Sequence, residues 1–440
     1  MKLSLLRIIA RSVTHNIRGY LYQLIIIILL TGVVTGSLMT GKSVRESLKQ
    51  TSFEKLGNAG IVLSSGIRYF NQSLVERMSA ETGATSTGLL ELDGYCQSFA
   101  TQKIAPRVRI FAIDQDFFPF HNIEGINLSQ GEVAINKRLA EWLEVSEGDE
   151  LIIRFNSITD IPADAPFSPA KVSNPSVVLK IGKILLPGEA GNFSLGISQL
   201  IPMNIFINRS DIINVEGEPP DINRLIFSSA AGLTPEAVHS ALSRIIKPED
   251  AGLRLRPVPA TGGFELVTGR IFIDQLQVDQ VREKIKSAFP AITYLANNIS
   301  SKAGSTPYSF ISALDPSLYE GMPEGDTIVI NEWLAQDLSA EEGDTLNISW
   351  YSPDPMNRLT EEKQDFIVGK VVAMNGIWSD SLLMPEFPGI AGSVSCTEWD
   401  AGVDIDTRLI RDKDEEYWNR FGGTPKAFIG YEKGRGLWAG

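Results

Sequence analysis

Cysteine and histidine are scarce in this chain, at two and three residues among 440. Cys96 and Cys396 stand far apart and in no Cys-x-x-Cys arrangement, which argues against a thiolate metal site or a dithiol redox motif. Two separate buried thiols are the expectation, although an oxidising compartment would also permit a bridge. His15, His121 and His239 fall in unrelated segments and make no His-Glu-x-x-His or comparable pair. Gly-x-Ser-x-Gly is missing, so no nucleophile elbow is visible. Basic charge is short as well, with 40 Lys and Arg against 53 Asp and Glu and a net charge of −13. An acidic surface repels a phosphate backbone, which excludes nucleic acid as the expected partner. With no convergent catalytic set, the chain is expected not to be an enzyme and to need no cofactor or metal.

What is present is a long apolar run, Leu21 to Thr40, without one charged side chain. At about 1.5 Å per residue such a helix covers about 30 Å, the hydrocarbon thickness of a bilayer. The first 49 residues carry a net +6, from seven Lys and Arg against Glu46, which leaves −19 for the rest of a chain at −13. Four of those basic residues precede the run with no acid among them. This bias favours an N-terminus in the cytoplasm and the bulk of the chain outside it. A signal peptide also begins basic, but its apolar region is usually about 7–15 residues and ends at a small-residue cleavage site. Here the run is longer and no Ala-x-Ala follows.

The flanks of the run have patterns of their own. Arg7, Arg11, His15 and Arg18 recur at helical spacing opposite Leu6, Ile9, Val13 and Ile17, as in a helix lying on an anionic inner leaflet. Beyond the run, charged residues alternate with Val44, Leu48 and Leu56 up to Gly57, a helix stop. The reading is therefore an interfacial helix over 1–20, a transmembrane helix over 21–41 and a stalk helix over 42–57. Two matches to nucleotide-binding patterns are decoys. Gly36 to Ser43 fits GxxxxGK[ST], but it ends a membrane-length helix whose N–H groups are used internally. Leu128-Ser129-Gln130-Gly131-Glu132 is followed by a strand pattern, not a helix.

An internal repeat organises the remainder. Residues 131–155 (GEVAINKRLAEWLEVSEGDELIIRF) and 326–350 (DTIVINEWLAQDLSAEEGDTLNISW) align without a gap and agree at ten of 25 positions. In each, a short apolar strand ends at Asn, which caps a helix, and Gly-Asp then turns the chain into an alternating strand. Looser matches keep the same order: Leu63-x-x-Gly66 with Leu266-x-x-Gly269, a helix over 73–80 with part of one over 272–289, and Phe111–Asp114 with Ser312–Asp315. Gly182-Lys183-Ile184 recurs as Gly369-Lys370-Val371, and Pro202–Ile207 as Pro425–Gly430. The fold class expected is α+β: the N-terminal transmembrane helix and stalk, then two repeated mixed α/β lobes, 58–248 and 249–440. Their boundary falls after a helix over 234–246.

This order of elements resembles the FtsX-like ABC transporter permeases with a MacB-like periplasmic core domain. The resemblance is carried by the basic helix, one span, the stalk from Val44 to Gly57 and the strand-Asn-helix-Gly-Asp-strand unit. It extends to Ile161-Pro162-Ala163-Asp164-Ala165-Pro166, Met384-Pro385-Glu386-Phe387-Pro388-Gly389 and Gly423–Ile429, and so covers essentially the whole chain. Such permeases continue into three further spans, so the resemblance implies that Gly440 closes a fragment. It implies a bacterial inner-membrane location, a cytoplasmic ABC ATPase subunit as partner, a homodimer or paired permease, contact with membrane lipids and a periplasmic partner. The lobes would transmit ATPase-driven motion to move or release a lipid, lipoprotein, peptide or drug. Arg7, Arg11 and Arg18 would meet the partner at the inner face; Val44, Leu48 and Leu56 would couple the stalk. The alternative is a membrane-anchored binding or adhesion module that needs no ATPase. Asp404, Asp406, Asp412, Asp414, Glu415 and Glu416 form the densest acidic patch, but Arg408, Arg411, Lys413 and Arg420 interleave, so a salt-bridged surface is expected there instead of a calcium site.

Overall fold

An uncharged apolar segment satisfies its own backbone most simply as a helix, and that is the conformation found in the computed structural model. The structure describes residues 5–66, 68–155, 175–196, 200–212, 219–259, 262–270, 272–318, 324–354, 359–387, 389–399 and 405–438. The loop 161–166, Pro388 and Asp404 lie outside these. Helix α1 (Leu5–His15) breaks at Asn16, with φ −109° and ψ 29°, and α2 (Ile17–Leu56) then runs 40 residues without interruption. That is about 60 Å, twice a bilayer core. The span and the stalk read from the sequence are parts of this one helix. Among the described residues the apolar side chains of its first half find no cover; Val33 and Leu38 are each 70% exposed.

The first lobe comprises β1 (Ala59–Ser64), α3 (Ser73–Thr82), β2 (Ser86–Ser98), β3 (Ile104–Ile113), α4 (Phe117–Phe120), β4 (Glu132–Asn136), α5 (Lys137–Leu143), β5 (Glu150–Phe155), β6 (Ser176–Leu185), β7 (Asn204–Asn208), β8 (Arg224–Ser228) and α6 (Pro235–Ile245). The second comprises β9 (Leu253–Val258), β10 (Gly263–Thr268), α7 (Gln275–Lys284), β11 (Ala291–Ser300), β12 (Ser305–Leu314), β13 (Thr327–Asn331), α8 (Glu332–Leu338), β14 (Thr345–Pro353), β15 (Leu359–Val372), α9 (Asp412–Phe421), β16 (Ala427–Gly430) and α10 (Tyr431–Trp438).

In the first lobe the strands pair in the order β1-β8-β2-β3-β7-β4-β6-β5, and β5 pairs back to β2, closing six of them into a ring. In the second, β11-β12-β16-β13-β15-β14 close a barrel. The two rings correspond strand for strand, with β3–β7 and β12–β16 parallel, as are β4–β6 and β13–β15. Alternation sorts their residues: Ile135, Ile205 and Ile110 fill the first ring, while Ala134, Phe206 and Phe111 face a second cluster with α4. Outside the ring, β1 and β2 run the same way with β8 antiparallel between them, and α3 lies against α6. That is a split β-α-β layer, with the ring inserted between β2 and β8.

The repeated residues have matched roles. Asn136 and Asn331, both buried, accept from Leu139 N–H (3.1 Å) and Leu334 N–H (2.8 Å), capping α5 and α8. The carboxylates of Asp149 and Asp344 each accept from a turn N–H at 2.8 Å. Gly148 (φ 101°) and Gly343 (φ 96°) occupy left-handed turns that donate to β6 and β15. Gly182 and Gly369 are each skipped where the register slips, matching bulges in the two rings. The mixed sheets expected from the sequence are thus present, closed into rings. The helix expected over 272–289 is confined to Gln275–Lys284, ending where Ile285 turns extended at φ −118° and ψ 92°. Cys96 and Cys396 are free, and each is buried in a different lobe's core.

Candidate functional site

Where α2 ends, the chain makes a set of polar contacts between the helix and the first lobe. Gly57 stops the helix at φ 57° and ψ −125°, and any Cβ there would lie 2.5 Å from His121 Nδ1. Only glycine therefore combines this turn with so close an approach. The next residue, Asn58, is gripped from two sides. Its N–H donates to His121 Nδ1 at 3.1 Å and its Nδ2 to Phe120 O at 2.8 Å. Its backbone carbonyl accepts from Ser229 N–H at 2.8 Å, and its Oδ1 accepts from the Ser228 and Ser229 hydroxyls at 3.3 and 3.1 Å. One turn back, Lys55 is buried; its carbonyl accepts from Ser194 N–H at 3.1 Å and its Nζ donates to Leu200 O at 3.3 Å.

Three parts of the lobe thus hold the end of α2: α4, the turn after β8, and the loop positions Ser194 and Leu200. Each neutral hydrogen bond contributes about 0.5–1.5 kcal/mol net, so the joint resists bending by several of them at once. Its floor is aromatic. The His121 ring lies 4.7 Å from that of Phe117 and 5.0 Å from those of Phe120 and Phe193. Burial among these rings lowers the His121 pKa to about 4, so the imidazole is neutral at pH 7. Accepting through Nδ1 puts its proton on Nε2, which is buried without a partner among the described residues. The joint ties the end of α2 to α4 and to the turn after β8, with β1 starting at the next residue.

The six residues singled out from the sequence scatter along the helices. Arg7 and Arg11 project from α1 and Arg18 from the first turn of α2, all exposed. Val44 and Leu48 are 53% and 49% exposed, whereas Leu56 is half-buried beside the joint. Lys55, Asn58, His121 and Ser194 were not legible as a set, because they join segments 60 to 140 positions apart. The one available signal was a histidine, rare in this chain, inside the aromatic run Phe117-Phe118-Pro119-Phe120-His121. In the acidic patch, Asp406 pairs with Arg408, and Asp414, which is buried and not solvated, pairs with Arg411.

The chain matches no family model and no curated protein. Among solved structures it is similar to the periplasmic region of MacB from Actinobacillus actinomycetemcomitans, at 9% identity and a TM-score of 0.29, over 54% of this chain and 96% of that one. It is also similar to a domain of a permease-type protein from Porphyromonas gingivalis, at 13% identity and a TM-score of 0.26, over 49% and 86%. At such scores neither likeness bears weight. Among the described residues, α2 is the one helix long and apolar enough to cross a membrane.

Proposed function

We propose that this chain is the membrane-anchored, extracytoplasmic part of an FtsX-like ABC permease, in which α2 passes motion from a cytoplasmic ATPase into the two lobes. The observation that carries this reading is the continuity of α2, from an exposed apolar half through a polar half into the joint at Gly57 and Asn58. A helix built only to anchor would not need a rigid extension beyond the bilayer, nor an end locked on three sides. In this reading Arg7, Arg11 and Arg18 lie at the inner face, and Val44 and Leu48 await the stalk of a second copy. The cargo class is a lipid, lipoprotein, peptide or drug, and the chain itself performs no catalysis.

Labelling tests this in intact cells, using Ser12→Cys and Ser243→Cys, one on α1 and one on α6, because both native thiols are buried. A membrane-impermeant maleimide should modify the Ser243→Cys protein before lysis and the Ser12→Cys protein only after it. Full chains captured from membranes should bring an ABC ATPase with them. The opposite labelling order, or capture with no ATPase, would overturn the proposal.

A further inference from the structure

The outer surface of the first ring carries an apolar stripe that its duplicate replaces with polar groups. Along β5 the side chains of Leu151, Ile153 and Phe155 fill the ring, so Ile152 points outward. Register sets Ile152 between Gln97 of β2 and Val178 of β6, and sets Gln97 beside Ile104 of β3. Strands lie about 4.8 Å apart, so this row across four of them is roughly 14 Å long. Trp142 of α5 extends it, its Nε1 donating to Ile104 O at 3.1 Å. Six residues separate Gln97 from Ile104 where four separate Ser300 from Ser305, and the longer turn holds Phe99. Phe99, Ile104, Trp142 and Val178 are each more than half exposed.

The second ring builds the same row from other chemistry. Asp337, Ser305, Ser300, Asn347 and Asp365 stand where the first has Trp142, Ile104, Gln97, Ile152 and Val178. These polar groups satisfy one another or their neighbours. Asn347 Nδ2 donates to Asp365 Oδ1 at 2.7 Å, and Asp337 pairs with Arg411 at 2.7 Å and with Lys413. Where Trp142 donates to Ile104 O, Arg411 donates to Ser305 O at 2.9 Å. Closing the barrel therefore asks nothing apolar of these positions. Single exposed apolar side chains are ordinary, but a contiguous row of them marks a contact. With ordinary side-chain areas the stripe offers roughly 400 Å² of apolar surface, about half of the ~800 Å² that each partner in a stable interface buries. That is little for a partner arriving from solution. It suffices for one held alongside, and a second copy anchored in the same bilayer by its own α2 is held so, as a linker would hold it. A two-fold contact of the stripe with itself sets its middle, Gln97 and Ile152, against the middle of the other copy.

We infer that two copies of this chain meet outside the membrane through the stripe on the first ring, an inference that rests on the reading of α2 as an anchor. Both native thiols are buried, so a cysteine placed on either ring's surface is the reactive one. Gln97→Cys lies at the middle of the stripe and Ser300→Cys at the matching place in the second ring. In isolated membranes treated with a bis-maleimide, the full Gln97→Cys chain should form a cross-linked pair at least fivefold more than the Ser300→Cys chain. Adding Ile104→Ser and Val178→Asp, the second ring's own side chains, should cut that yield at least fivefold and leave the urea midpoint unchanged. Should that chain fail to fold, Val178→Asp alone decides. Equal yields from the two cysteines, an adduct with another protein in place of the pair, or a yield that the added substitutions do not lower would overturn the inference and leave the anchor standing. Recovery of the chain in the soluble fraction would overturn both.

Discussion

The same stretch of the duplicated unit is put to different use in the two lobes. Between β6 and β7, Ser194 and Leu200 meet the end of α2 at Lys55. Between β15 and β16 the connection is three times as long and contains α9. Both connections end at the same latch. Asn136 Nδ2 donates to Pro202 O at 2.7 Å, and Asn331 Nδ2 to Pro425 O at 3.4 Å. Because each latch ties the returning loop to the strand-helix corner, the loop between can diverge without disturbing the ring's register. One barrel can thereby carry a short return loop that meets α2 in one copy and a long one that contains α9 in the other.

The largest effect should come from removing the latch. Asn136→Ala deletes a helix cap, the bond to Pro202 and an acceptor for Asn204 N–H. Asn331→Ala deletes the equivalent cap and latch, and also a 3.1 Å bond to the Tyr417 hydroxyl. A lost cap costs about 1 kcal/mol, and each buried group left unpaired about 1–3 kcal/mol, so losses of about 3 kcal/mol or more are expected in both. Urea denaturation of the full chain measures them. A loss below about 1 kcal/mol in either lobe would break the equivalence of the two latches.

A smaller effect should be confined to the first lobe and to acid. His121 titrates near 4 in the folded chain against 6.5 ordinarily. Between those values the unfolded chain binds more protons, so stability rises with pH. The full contribution is present above pH 6.5 and is lost as pH falls through about 4, to a total of about 3 kcal/mol. Protonation at Nδ1 would also remove the acceptor for Asn58 N–H. His121→Gln keeps an acceptor but cannot charge, so its urea midpoint should fall less than wild type between pH 7 and pH 4.5. Parallel acid limbs in the two proteins would place the sensitivity elsewhere.

The repeat was legible because its cues are local: Asn before a helix, Gly-Asp before a strand, a glycine at each bulge. The apolar helix and the stop at Gly57 were legible for the same reason. Ring closure was not, since pairing β2 with β5 depends on register across some 60 residues, which no periodicity records. Nor was the joint, whose members come from residues 55–58, 120–121, 194–200 and 228–229. Lys426 is the clearest lesson. Within Pro425-Lys426-Ala427-Phe428 it reads as a solvated lysine at the mouth of a strand, and only the chain folding back over it makes it a buried ammonium.

The smallest effect separates the two bulges. At Gly182 an added Cβ would meet the Glu132 side chain at 3.3 Å, a flexible group that can swing away. At Gly369 it would meet Thr327 Cγ2 at 2.5 Å, and a β-branched side chain in a strand has few rotamers to yield with. Gly369→Ala should therefore cost about 1–2 kcal/mol and Gly182→Ala under about 0.5 kcal/mol. Glu132 and Thr327 occupy matching positions in the repeat, so adding Thr327→Glu to Gly369→Ala should recover part of the loss. Thermal midpoints of the four chains would read this out. Recovery would mean that the bulges share one geometry and differ only in the neighbour that crowds them; additive losses would mean that the rings have diverged at the backbone as well as in their loops.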